Sequence, residues 1–446
     1  MNGLLIWLAT EVFLIVLLAA GSLLASLALP WFIARPAQWF FYAIIGLSLF
    51  GITDSSTGSS IYKQLTWGTL FVFAAFTALR AADGHWRLPK SMVPPALALL
   101  LTFLFVSCAW SHYPLTSFKR AMEMLGILLI AIALMRREHT SIADLLQKPF
   151  IAYLMIGLAM ALLVPHIAFA QHHALRAMTS QKNTWGQFSL IGCIVFLAQL
   201  LQARRHRAIN AAVLLLSIIS LLASRSMTSI VAFFAVSYLV IVWRLVETRK
   251  SSGWFVVIVA SFTPLILLFG YALLQNESFL KIAITLFFES TDRTSTLTGR
   301  TFLWRLIFEQ IQRHPWFGAG YGGFWVYDGK AYLGVIHQLD WGPPSQAHNG
   351  YLDILNDIGI VGFFLFLGVI IAHVRNLYAL YRLHLRDSLL FHILLIGTAI
   401  TINFAESSFI RYTDLWWLLV CASIVEVHVR LQRAHPLQSL GNDSLS

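Results

Sequence analysis

Cysteine and charge are both scarce in this chain of 446 residues. Cys108, Cys193 and Cys421 each stand alone inside an apolar stretch, so the sequence offers neither a disulfide framework nor a thiolate metal site. Charged residues make up 11% of the chain and acidic residues number only 20, too few to clothe the surface of soluble domains of this length. No internal repeat of fixed period and no low-complexity tract breaks the sequence. What is abundant is apolar: 58% of residues, with 15 Trp and 33 Phe and a mean hydropathy of +0.73. These values describe an integral membrane protein, rich in the aromatics that populate bilayer interfaces. The 31 Lys and Arg give a formal charge of +11, but they occur one to three at a time between apolar runs. A nucleic-acid partner would need a contiguous basic surface.

A helix crosses the hydrocarbon core with roughly 20 mostly apolar residues. Candidate spans fall near 4–29, 38–53, 65–80, 93–110, 120–135, 149–166, 187–203, 208–224, 227–244, 253–273, 357–374, 389–404 and 415–430. The first contains Glu11 and lacks the basic start of a cleavable signal, so it reads as an uncleaved span, and the total as twelve or thirteen. The expected fold is an all-α membrane domain over residues 1–446. Eighteen basic residues fall on one side of these spans, in clusters such as Ala203-Arg-Arg-His-Arg207, and thirteen on the other. The clustered side is expected to be cytoplasmic, together with the C-terminus. The opposite side receives the loop 166–186 and a long segment from 274 to 356. That segment holds a helical stretch from Thr298 to His314 closed by Pro315, and Trp304, Trp316, Trp325 and Trp341. It is expected to be a packed lid, because a structureless connection of that length is unusual in a compact chain.

Basic residues left on the outer side work against the positive-inside bias. Arg176, Lys182, Arg225, Lys281, Arg293, Arg300, Arg305 and Arg313 are therefore candidates for holding an anionic ligand, Arg being suited to bidentate phosphate binding. Snorkelling to lipid phosphates is the competing reading for each. His348 lies at the start of a helix, because Leu352, Leu355 and Ile358 recur at helical spacing. There it is either a general base or a capping and interfacial histidine. Ser224, Ser226 and Thr228, at the junction of two spans, bind a polar ligand or satisfy backbone in lipid. Gly318-Ala-Gly-Tyr-Gly-Gly323 lacks the βαβ context of a dinucleotide loop and reads as a tight turn. His172 and His173 are adjacent and lack metal-ligand spacing.

Four blocks occur in order: Gln181-Lys-Asn-Thr-Trp-Gly186 after Arg176; Ser224-Arg-Ser-Met-Thr228; Leu297-Thr-Gly-Arg-Thr-Phe-Leu-Trp304 with His314-Pro-Trp-Phe-Gly-Ala-Gly-Tyr-Gly322; and Ala347-His-Asn-Gly-Tyr351 with Gly359 and Gly362. In this combination the chain resembles the bacterial O-antigen ligase and polymerase family, including its exopolysaccharide polymerase branch. Two positions depart from the family's wording, Gln181 where His is frequent and Met227 where a basic residue is frequent. The resemblance implies a metal-independent membrane glycosyltransferase fold with a periplasmic lid, an undecaprenyl-diphosphate-linked glycan as donor, and a sugar hydroxyl on lipid A-core or on another lipid-linked repeat as acceptor. It implies no cofactor. Arg176 and Arg300 would clamp the diphosphate and His348 would accept the acceptor's proton. Lys182, Asn183, Arg225, Ser226, Thr228, Asn349 and Tyr351 would bind substrate. A flippase for lipid-linked glycan is the main alternative, with ligation to protein as a further one. A transporter should instead show paired repeats and midplane ionisable groups.

Overall fold

A computed structural model describes residues 92–137, 141–170, 173–202, 206–249, 297–326, 329–337, 339, 344–385, 389–412 and 414–442, together with Ala75, Ala78 and Leu79. The spans expected near 4–29, 38–53 and 253–273, most of the one near 65–80, and the first part of the long segment lie outside the described residues. Every other expected span is a helix, and the described residues contain helices with no strand beyond one isolated bridge. The chain is an all-α integral membrane protein.

The helices are α1 (Pro95–Val106), α2 (Pro114–Arg137), α3 (Ile142–Leu163), α4 (Pro165–Ala168), α5 (Lys182–Gln202), α6 (Arg207–Ala223), α7 (Met227–Arg249), α8 (Leu297–Arg313), α9 (Lys330–Ile336), α10 (Gly350–Arg382), α11 (Leu389–Ile402) and α12 (Leu415–Asn442). Five of these, α3, α5, α7, α10 and α12, are long and apolar enough to cross a membrane on their own. Helices α5 and α12 form the centre, with 72% and 78% of their most apolar windows buried, against 33% for α3 and 39% for α7. Their apolar residues are spread around the whole circumference, as expected of a helix enclosed by others. Helix α5 packs against α6, α7 and α11, while α12 packs against α2 and α10.

Two ends of this bundle are tied by different polar groups. At one end, the buried Glu426 of α12 accepts from the Ile142 amide at the start of α3 at 2.9 Å and pairs with Arg430 at 2.6 Å. Nearby, Gln199, late in α5, donates to Asp144 at 2.8 Å. Ser141 caps α3 by accepting from the Asp144 amide, satisfying one of the orphan donors of a helix start. The start of α5, the turn between α6 and α7, and the start of α10 gather at the other end. There the Leu175 amide bonds the Ala223 carbonyl at 2.9 Å, and the Gly350 amide reaches the Asn403 and Glu406 carbonyls.

Residues 297–347 build a second, small core from Leu303, Leu306, Ile307, Ile311, Phe324, Val335 and Ala347, seated against α10. Three glycines of the 318–323 turn, Gly318, Gly320 and Gly322, take positive φ of 68°, 88° and 64°, so the glycine run forms a tight turn. Arg120 of α2 fastens it by donating to the Gly322 and Trp325 carbonyls, and Asp357 accepts from the Gly322 amide at 3.1 Å.

Candidate active site

Helix α10 begins at Gly350, with Asn349 as its N-cap accepting from the Tyr351 and Leu352 amides at 3.1 and 3.2 Å. His348 therefore stands one residue ahead of the cap, in a left-handed backbone with φ of 50°. For a residue carrying a Cβ this conformation is strained by about 1–3 kcal/mol and persists only where its surroundings enforce it. Here they do so on both sides. Ala347 donates its amide to Asp353 at 3.1 Å and accepts at its carbonyl from the Trp304 indole at 2.8 Å. Gly350 bonds the turn after α11, and Asn403 fills the space that a side chain at 350 would need.

That turn supplies a residue missing from the sequence-derived set. Glu406 is only 5% exposed; its Oε1 accepts from Arg300 Nη2 and from Asn183 Nδ2, both at 3.2 Å, while Oε2 faces His348 Nδ1 at 3.5 Å. Arg300 also donates through Nη1 to the Ala405 carbonyl at 2.6 Å. One carboxylate thus joins α5, α8, α10 and the loop after α11. Burial would raise the pKa of Glu406, but the hydrogen bond and charge of His348 and the charge of Arg300 outweigh it and hold the carboxyl below its ordinary 4.5. A carboxylate facing Nδ1 favours the imidazole tautomer with its proton there and directs the Nε2 lone pair to the opposite side of the ring.

The remaining candidates lie on the start of α5, the loop before it, the turn into α7 and the start of α10. Asn183 follows Lys182, the first residue of α5, and Lys182 feels the charge of Arg225. Arg225, at the turn into α7, is exposed and, like His348, takes a left-handed backbone, with φ of 53°. Arg176 sits in a loop stapled by the Phe169–Leu175 bridge, and its Nε donates to the Ile167 carbonyl at 3.0 Å. The Thr179 hydroxyl lies 2.7 and 2.8 Å from the carbonyls of Arg176 and Gln181, linking that loop to α5. Ser226 is buried and donates to Ser229 at 3.0 Å, and Ser224 donates to the Leu221 carbonyl at 2.6 Å. Thr228 is half-buried in the first turn of α7. Asn349 is engaged as a cap, and the Tyr351 hydroxyl donates to the Ile400 carbonyl at 2.8 Å. The structure thus brings Arg300, His348 and Asn183 into one contact group through Glu406 and gives Ser226, Asn349 and Tyr351 internal partners.

Glu406 escapes a reading that searches for acids inside apolar spans, because it stands just past the end of one. Its signal is a lone carboxylate in Asn403-Phe-Ala-Glu-Ser-Ser408 on the side where unneutralised arginines collect.

Chemically, the group pairs a basic nitrogen held in register by a carboxylate with a guanidinium at the same carboxylate. Such a set can deprotonate a hydroxyl and stabilise a departing anion. Residues 211–367, 157 of the chain's 446, match the family model described as O-antigen ligase. The match runs from α6 into α10 and contains Arg225, Arg300 and His348, while Arg176, Asn183 and Glu406 fall outside it. No curated protein is significantly similar to the chain.

Proposed function

We propose that this chain, whose residues 211–367 match the family model described as O-antigen ligase, transfers a glycan from a polyprenyl diphosphate to a sugar hydroxyl at the periplasmic face of the inner membrane. The observation that carries the reading is the convergence of Arg300 and His348 on the buried Glu406. His348 takes the proton of the acceptor hydroxyl as that oxygen attacks the anomeric carbon of the donor. The bond from that carbon to the diphosphate breaks, and the diphosphate leaves with the electron pair. A single displacement of this kind inverts the anomeric configuration. Glu406 holds the imidazole and stabilises the imidazolium that forms, as an orienting carboxylate does for other histidine bases.

Arg300 neutralises charge growing on the diphosphate. Its Nη1 and Nη2 each already donate once to protein, so it meets the ligand with the rest of its five donors, as a pre-set edge. Arg176, Lys182 and Arg225 supply further positive charge from the loop 173–181, the start of α5 and the α6–α7 turn. Fixed guanidinium charge does here what a divalent ion does in other phosphate-leaving reactions.

The test is transfer by the purified chain from a polyprenyl-diphosphate-linked glycan. His348→Ala should abolish it while membrane insertion and melting temperature stay as in the parent. Near-parental transfer by that variant removes the base assignment. Transfer should also survive EDTA, and dependence on added Mg²⁺ or Mn²⁺ would overturn the metal-free mechanism.

A further inference from the structure

A cavity lies at the opposite end of α8 from this site. Arg300 and Arg313 are thirteen positions apart on that helix, about 20 Å at 1.5 Å per residue. The cavity has a volume of about 450 Å³ and is lined by Trp110, His112, Arg313, His314, Trp316 and Phe317 among others. None of the described residues lining it is acidic. The His112 and His314 rings meet edge to face with centroids 5.7 Å apart, and the Trp110 and Phe317 rings lie 5.4 Å apart.

The wall is built in advance of any ligand. Helix α10 is broken at Gly359, whose φ is 65°, and the break turns the next amides outward. Ile360 and Val361 donate to the Pro315 and Trp316 carbonyls at 2.9 and 3.1 Å, and Ala319 donates to the Asn356 carbonyl at 2.9 Å. The Trp110 indole closes the other side by donating to the Phe317 carbonyl at 3.1 Å. A side chain at 359 would collide with the backbone of Trp316 and Phe317.

The polarity of the mouth is divided. Arg313, His112 and His314 are exposed polar donors, and beside them in the lining Trp316 is 62% and Phe317 51% exposed. The cavity lies beside Gly359, where α10 enters its continuous apolar stretch, and in a membrane-crossing helix such a transition marks the level at which headgroups meet acyl chains. A permanent cation with two imidazoles suits a phosphate, and adjoining exposed aromatics suit the chain attached to it.

We propose that this cavity binds the phosphate-bearing headgroup of an anionic lipid, with Arg313 on the phosphate, His112 and His314 as further donors, and Trp316 and Phe317 against the first part of the acyl chains. The assignment rests on the membrane location of the chain and is independent of the glycan-transfer reading.

Native mass spectrometry of the purified full chain tests it, with phosphatidic acid, diacylglycerol and inorganic phosphate as separate probes. Phosphatidic acid should be retained at one high-affinity position. Arg313→Gln should weaken that retention about tenfold, the loss expected for one charge-assisted contact. Trp316→Ala should also weaken it, and Arg305→Gln, on the same helix but paired with Glu309 at the surface, should not. Equal retention of diacylglycerol would make the site purely apolar and overturn the proposal. Displacement of the lipid by an equal concentration of inorganic phosphate would assign the cavity to the free ion and overturn it as well. Tighter retention of a neutral oligosaccharide than of phosphatidic acid would make it a glycan subsite, with the same consequence, as would an unchanged affinity in Arg313→Gln.

Discussion

Glu406 concentrates the electrostatics of the site into one side chain. It is a buried anion whose charge is compensated by Arg300 and shared with His348 and Asn183. Removing Arg300 outright would leave that anion unpaired, a change that costs about 3–5 kcal/mol for buried pairs. Arg300→Lys is the more informative variant, because it preserves the charge that Glu406 needs but lacks the planar fork. It should keep the parental melting temperature and lose transfer activity by at least about tenfold, a contrast read from thermal melts and initial rates. Equal rates in the two proteins would count against the diphosphate role. Glu406→Gln keeps the shape and the Asn183 neighbour while removing the charge that orients His348. Transfer should then fall by about 10²-fold or more, the scale of a lost acid–base arrangement.

The lowered pKa of Glu406 gives the same residue a signature in stability. A carboxyl held below its ordinary 4.5 stabilises the fold above that unfolded value, and the gain disappears as pH falls through the lower folded value. Parent and Glu406→Gln should therefore differ most in melting temperature near neutral pH. The difference should shrink on acidification below about pH 4.5, as measured by melts in detergent across that range. A gap that stays constant across the series would mean that the carboxylate is not held by His348 and Arg300.

Among the elements, α10 shows best what the sequence made legible. Leucine and isoleucine at 352, 355 and 358 mark the helix, but its cap is Asn349, expected from the sequence to bind substrate, and not His348, which lies one residue ahead of the capping position; an amide oxygen there satisfies the first free N–H groups. The break at Gly359 was not legible, since the sequence reads 357–374 as one continuous span. Periodicity continues through it, and only the three-dimensional approach of residues 315–317 shows why the helix must open there. Glu406 was hidden for a related reason: its partners stand 58, 106 and 223 positions away, and no local pattern carries such distances. Arg300 and His348 were legible because they sit at the starts of helices with recognisable wording. Asn349→Ala should cost about 1 kcal/mol, typical of a lost N-cap, and should reduce transfer more than stability, since the cap fixes the backbone next to His348. Denaturant melts set beside transfer rates separate the two effects. Equal proportional losses would mean that the cap serves only the helix.

At the scale of the whole molecule, the net charge of +11 divides between two ends. Helix α5 runs from Lys182 beside the site to Gln202, and 21 residues at 1.5 Å span about 30 Å, the thickness of a hydrocarbon core. Helices α6 and α7 then return and leave again, so that Arg207 and Arg249 lie at the far end while Arg225 lies at the near one. Arg382 at the close of α10 and Arg430 late in α12 belong with the far group. The near end holds Arg176, Arg225, Arg300 and His348, where a cytoplasmic anchor has no use for them. If the far end faces the cytoplasm, as the positive-inside bias requires, every candidate catalytic group faces the periplasm. Single cysteines in a Cys108→Ser background test this, because Cys193 and Cys421 are buried. Gln312→Cys, exposed on α8, should react with a membrane-impermeant maleimide in intact cells whose outer membrane has been permeabilised. Ala208→Cys at the start of α6 and Gln432→Cys on α12 should react only after the inner membrane is opened. Labelling of the last two from outside would invert the chain and place the arginines and His348 where no periplasmic acceptor can reach them.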